Sequence, residues 1–241
     1  MKKYLLAFLF ILPSTSFSAD LDGYYISLKA GVSNSGDNGY CYDNDNGGDI
    51  CWTRDDLGTG YIYGLSVGKR ISDNIRIELE ANKRDDYKIK NRTYYTEFNG
   101  NTSDHTADID SKTLFLNILF DFQPILVGKN SVKPYIGAGV GYSRNRLSTV
   151  REENILNPIQ VSLIDGSSKS NTAYKLTAGL LFDITENLSV DVNYQYVDLG
   201  SFKSDTGTEL LANGNRGTLI HAINGAGIDA HEILIGLQYK F

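Results

Sequence analysis

Eight stretches of this chain place apolar and polar residues strictly by turns, and no other feature restricts its folding as much. A period of two belongs to the strand, whose successive side chains point to opposite faces. In LSVDVNYQYVDLG, Leu188, Val190, Val192, Tyr194 and Tyr196 share one face; Ser189, Asp191, Asn193 and Gln195 share the other. In HEILIGLQYKF, Ile233, Ile235, Leu237, Tyr239 and Phe241 oppose Glu232, Leu234, Gly236, Gln238 and Lys240. NIRIELEANK sets Ile75, Ile77, Leu79 and Ala81 against Arg76, Glu78, Glu80 and Asn82. TLFLNILFDF, GYYISLKAGV, TGYIYGLSVGKRI, PYIGAGVGYS and NTAYKLTAGLLFDI follow the same rule. Each stretch has about ten residues, the length that crosses a bilayer at a tilt.

A soluble sandwich also alternates, but its polar face is wet and charged along the whole strand. Here the second face is glycine, Ser, Thr, Asn and isolated charges, which suits the narrow interior of a small closed barrel. The connections point the same way. Ser72, Asp73 and Asn74 form one short link, Thr185, Glu186 and Asn187 another, and 123–133 is of moderate length. The other four, near 33–57, 85–109, 145–170 and 199–226, are each about 25 residues, too long for structureless loops of a compact soluble domain. Short turns at one end and long loops at the other define an outer-membrane barrel. The expected fold is therefore all-β: an eight-stranded antiparallel transmembrane β-barrel with four long extracellular loops and short periplasmic turns.

The first residues, MKKYLLAFLFILPSTSFSAD, read as a secretory signal: Lys2 and Lys3, an apolar run too short to span a bilayer, then Ser16-Phe17-Ser18. Residues 1–18 are expected to be cleaved, leaving 19–241 as one barrel domain. Cleavage takes the formal charge from −6 to −8, which excludes nucleic-acid binding as the main role. An exported chain meets an oxidising compartment, so Cys41 and Cys51, its two cysteines, are expected to pair.

GYYISLKAGVS, KPYIGAGVGYS and the terminal LIGLQYKF resemble the opacity-type and surface-antigen outer-membrane proteins of Gram-negative bacteria. The resemblance covers the strands and not the loops. It implies an eight-stranded barrel with four variable surface loops, and a surface-antigen role with the barrel as anchor. Gly236, Tyr239 and terminal Phe241 resemble the signal read by the barrel-insertion machinery, which that likeness makes a partner.

Inward positions carry Lys29, Arg70, Arg76, Glu78, Glu80, Asp121, Lys175, Asp183, Asp191, Glu232 and Lys240. Unpaired buried charges are costly, so these are expected to form networks that plug the lumen. The segment CYDNDNGGDIC falls in the first long loop. A disulfide there ties the loop down; Asp43, Asp45 and Asp49 with Gly47 and Gly48 resemble the start of a calcium loop, but Arg54 stands where the bidentate Glu belongs. The spacing is not that of a redox pair. No cofactor and no enzyme activity are expected. His105 and His221 fall in loops, and His231 continues the lipid-facing register near Asp229 and Ser201 with no spacing that selects a partner. The long loops mix Arg144, Arg146, Arg151, Glu152 and Glu153 with Trp52, Tyr87, Tyr94, Tyr95 and Phe98, residue types favoured at binding hot spots. Two readings follow: loops that touch host molecules, as an adhesin's do, or an envelope protein whose loops contact lipopolysaccharide. A small pore fits a charged, filled lumen less well.

Overall fold

The computed structural model describes residues 21–42, 50–95, 101–128, 130–154, 161–210, 216–220 and 222–241. The described chain is strand without helix: β1 Tyr24–Ser35, β2 Asp37–Tyr42, β3 Ile50–Asp56, β4 Thr59–Arg70, β5 Ile75–Tyr95, β6 Asn101–Asp121, β7 Ile125–Val127, β8 Asn130–Leu147, β9 Val150–Asn154, β10 Val161–Gly166, β11 Ser168–Asp183, β12 Leu188–Leu210, β13 Arg216–Ile220 and β14 Ile223–Lys240.

Eight of these strands close a ring. β1 pairs with β4, β4 with β5, β5 with β6, β6 with β8, β8 with β11, β11 with β12, β12 with β14, and β14 returns to β1, all antiparallel. Closure gives every wall strand two partners and leaves no edge to aggregate. The ring is inside out by the standard of a soluble protein. Leu28, Leu116, Ile118, Leu176, Ile233 and Ile235 point outward and are exposed, whereas Arg76, Glu78, Glu80, Asn117, Asp191 and Glu232 point inward and are 3% exposed or less. Aromatic residues mark both ends of the apolar band, as in membrane barrels. Tyr61, Tyr63, Tyr142, Tyr174, Tyr194 and Tyr196 lie toward the long connections. Phe120 packs edge-on to Phe122, and Tyr239 to Phe241, at the other end, each with ring centroids 5.3 Å apart.

The short turns behave as read. Ile71 N donates to Ile75 O, and Ile184 N to Leu188 O, each at 2.8 Å. Between 123 and 133 the chain adds β7, which folds back on the start of β8. Phe241 N donates to Tyr24 O at 3.0 Å, so the ring closes at this short-turn end.

The four long connections stand where their lengths put them, but they are not structureless. β5 and β6 are 21 residues each and β12 is 23, roughly twice the bilayer-crossing length. β2 and β3 prolong β1 and β4, and β9 and β10 prolong β8 and β11. Above the apolar band β14 pairs with β2, β2 with β3, β6 with β9, β9 with β10, and β10 with β12. Lys88 N donates to Leu57 O at 2.9 Å where the β3 side meets β5. The wall thus continues outward as a β-crown.

Bulges divide crown from wall. On β5 the register slips between Arg84↔Ser111 and Tyr87↔Ile109, so Asp85 and Asp86 together face Asp110, with Asp86 at φ 73°. The inward positions change from even-numbered Arg84 to odd-numbered Tyr87 and Ile89. β12 does the same at Gly200, φ 68°: Val197 and Leu199 point inward before it, Phe202 and Ser204 after it. One extra residue reverses the facing of everything beyond it.

Candidate functional site: a filled lumen beneath an apolar crown

The lumen charges fall into three tiers. Toward the short-turn mouth, Arg76 meets Asp121 at 2.8 Å and Arg70 reaches the same carboxylate at 3.1 Å. The Arg76 guanidinium lies 5.4 Å from the Tyr25 ring and 5.0 Å from that of Tyr135, a cation between two π faces. At the mouth itself Lys240 pairs with Asp183 at 2.6 Å, both partly exposed. In the middle, Lys29 bridges Glu78 at 3.2 Å and Glu80 at 3.1 Å, with Asp191 at 3.9 Å. Lys175 donates to Glu80 at 2.5 Å and Tyr135 OH to Asp191 at 2.9 Å. Asn82 and Asn117 donate to the same glutamates. In the upper tier Arg84 grips Glu232 with Nε at 2.6 Å and Nη2 at 3.0 Å, both side chains fully buried. Ser33 and Gln195 donate to the same carboxylate.

Glycines make room for these long stems. A Cβ on Gly236 would sit 2.9 Å from Lys29 Cγ and 2.8 Å from Leu28 O. Lys29, Arg70, Arg76, Arg84 and Lys175 balance Glu78, Glu80, Asp121, Asp191 and Glu232, which is what a dry interior requires.

Above the last tier the interior turns apolar. Leu57, Tyr87, Ile89, Ile109, Leu147, Val150, Ile164, Leu199, Phe202 and Ile228 form one buried cluster with neighbouring alanines and valine. Phe115 belongs to it from below, where Lys175 Nζ lies 5.2 Å from its ring. Polar side chains in this region serve the bulge: Ser143, Asn145 and Asn171 donate to the carbonyls of Leu199 and Ser201 at 2.5–3.1 Å. Bulges free backbone groups, and buried ones need partners.

All the lumen residues named from alternation point inward, with Arg70, Asp183 and Lys240 at the mouth. Arg84 was missed, because DD at 85–86 breaks the alternation just beyond it. Tyr87, read as a loop aromatic available for binding, is fully buried and hydrogen bonds Ser33; the bulge turns it inward. His105 is likewise buried, 3.6 Å from Glu152. Arg151 and Glu153 form an exposed pair at 2.5 Å. His231 accepts or donates at 2.6 Å with Tyr194 OH on the outer surface. It is not brought to Ser201, which lies opposite Gly227, and Asp229 lies opposite Asp198. Cys41 lies directly opposite Cys51 in the β2–β3 ladder. Their side chains, those of Trp52, Tyr94 and Tyr95, and residues 43–49, 98 and 221, as well as 1–18, lie outside the described residues. Tyr239 and Phe241 face outward in the lower aromatic belt.

Charges also stand on the outer wall just beyond the apolar band of β5, β6 and β8. Partial burial opposes ionisation of Asp85, but hydrogen bonds from Lys83 at 2.7 Å and Tyr63 at 2.5 Å hold its carboxyl below the ordinary range. Asp110 beside it is pushed up, by partial burial and then by the charge of Asp85.

A family model described as an outer membrane protein beta-barrel domain matches residues 4–241. A Rickettsia conorii protein that bears the name "putative adhesin" is 23% identical over 186 residues, 75% of this chain and 68% of its own. An uncharacterized Brucella abortus protein is 25% identical over 204 residues, 76% of this chain and 69% of its own. The crystal structure of Neisserial surface protein A matches with a TM-score of 0.50 at 16% identity, over 91% of this chain and 98% of that one, a likeness of fold.

Proposed function

The chain belongs to the outer-membrane protein β-barrel family and resides in the outer membrane of a Gram-negative cell, and from that premise we propose that it is a surface interaction protein. The barrel anchors it, and the outer ends of the crown meet host or other surface molecules. The carrying observation is the crown. Strands prolonged to about twice the bilayer-crossing length, around an apolar core of their own, build a rigid platform that anchoring alone does not need. A lumen filled by paired charges below and apolar side chains above leaves conduction without a path. The adhesin name of the Rickettsia relative supports the same reading. The protein acts without catalysis or cofactor, residues 1–18 are its export signal, and Gly236, Tyr239 and Phe241 present it to the insertion machinery. A structural envelope role is the second reading, since the same crown would shield the surface.

Adherence tests it. The full chain is expressed in a non-adherent Gram-negative host beside versions in which 38–55, 88–108, 150–165 or 203–224 is replaced by a short turn. Barrel folding is checked by heat-modifiable gel migration, and bound host cells are counted. Adherence of the full chain, lost with one trimmed hairpin, is expected. Folded barrels that never adhere would transfer the role to the envelope reading.

A further inference from the structure

The outer wall carries a row of neighbouring cations, with the carboxylates of Asp85, Asp86, Asp108 and Asp110 on the rows beyond it. One hydrogen-bonded row of the sheet runs Tyr63, Lys83, Lys112, Arg144 across β4, β5, β6 and β8. The next row outward sets Asp110 opposite Arg146. Lys112, Arg144 and Arg146 are exposed, and Lys83 and Asp110 are half-buried. Lys83 is matched by Asp85, but Lys112 and Arg144 have no ion-pair partner among the described residues. The four cations line a common recess with Asp110 and Ser168. Like charges directly opposite on a sheet repel, so three neighbouring cations are a cost to the fold unless an anion lies between them. Across the ring, Asp198 faces Asp229 on β12 and β14.

A second feature meets this row from below. Small side chains at Ala30 and Ala81, among Tyr63, Leu65 and Ile235, leave a groove of about 770 Å³ on the lipid-facing wall. Its outer end is Lys83 and Lys112. Ala81 lies on the row directly beneath Lys83, between Leu65 and Leu114.

We propose that the groove and the cation row together bind a phosphorylated, multiply acylated glycolipid of the outer leaflet, the lipid A part of lipopolysaccharide. One acyl chain lies in the groove at Ala30 and Ala81. A phosphate sits between Lys112 and Arg144, with Lys83 and Arg146 flanking it. The guanidinium fork suits two phosphate oxygens, and the ammonium supplies a point charge. A zwitterionic phospholipid carries its own amine beside its phosphate and gains less from such a row. The site rests on the membrane location alone and stands whatever the crown binds.

The test uses the full chain refolded in detergent micelles, with folding confirmed by heat-modifiable migration. A fluorescent bisphosphorylated lipid A is titrated and its anisotropy read. The K112Q/R144Q double variant is expected to weaken binding about tenfold or more, from the loss of two charge-assisted contacts. Wild type is expected to bind phosphate-free lipid A as weakly as the double variant binds the phosphorylated form. A81W, which fills the groove, is expected to weaken lipid A binding too, and D198N on the acidic side to leave it unchanged. Equal binding by the folded double variant, or equal binding of phosphate-free lipid A, would overturn the proposal. So would displacement by millimolar inorganic phosphate with no effect of A81W, which would mark a site for free phosphate, or a loss in D198N as large as in the double variant.

Discussion

Glu232→Gln is the most demanding perturbation of the lumen. The change removes one charge and almost no volume. In the wild type four donors converge on the carboxylate: Arg84 Nε and Nη2, Ser33 Oγ and Gln195 Nε2. The third guanidinium nitrogen is committed to Thr113 at 3.0 Å. An amide offers one oxygen and an NH2 that faces donors, so Arg84 is left charged, fully buried and short of acceptors. Removing one partner of a buried pair costs about 3–5 kcal/mol. Replacing both, with Arg84→Met and Glu232→Leu, leaves no stranded charge and lets the crown core extend downward past Tyr87. The double variant is therefore expected to be more stable than E232Q. Asp183→Asn is the control: its pair with Lys240 is partly exposed, and its loss is expected to cost about 1 kcal/mol or less. Each variant is refolded into phospholipid vesicles and unfolded with urea, with the heat-modifiable band as the measure of folded protein. E232Q within about 1 kcal/mol of wild type, or a double variant at least as unstable as E232Q, would refute the pairing as the source of the stability.

Other expectations use the same preparation. Gly200→Ala puts a Cβ 2.5 Å from Asn171 Cβ at a φ of 68°, and should cost at least about 1–2 kcal/mol on the urea curve; Gly58→Ala, at φ 78° with open space around it, should cost the backbone part alone. Phe202→Ala in the crown core should lose about 3–5 kcal/mol and open the crown, not the wall, to protease, with cleavage sites mapped by mass spectrometry. Cys41 and Cys51, opposed on neighbouring strands, should run as a disulfide two hydrogens lighter than the reduced chain by intact mass, and Cys41→Ser should cost about 2–3 kcal/mol in oxidising buffer. In a planar bilayer the wild type should show no steady current steps; regular steps would refute a filled lumen.

Alternation and connection length are local properties, and they determined the wall. The outward set from Leu28 to Phe241, the inward set from Lys29 to Lys240, the strand number and the position of the short turns were all readable because each strand writes its two faces into its own residues. Two things were not written there. At Asp85-Asp86 and at Gly200 a bulge inserts one residue, so the alternation changes phase and reads as loop, although Tyr87, Ile89 and Phe202 continue the inward face into the crown. The partners of the lumen charges were equally hidden. Arg84 and Glu232 are 148 residues apart, and Lys29 and Lys175 converge on Glu80 only because eight strands close on themselves. The rim row of Lys83, Lys112 and Arg144 likewise exists only across three neighbouring strands. A chain can encode which face a residue takes one strand at a time, but which charges meet depends on register and closure, and those belong to the folded barrel.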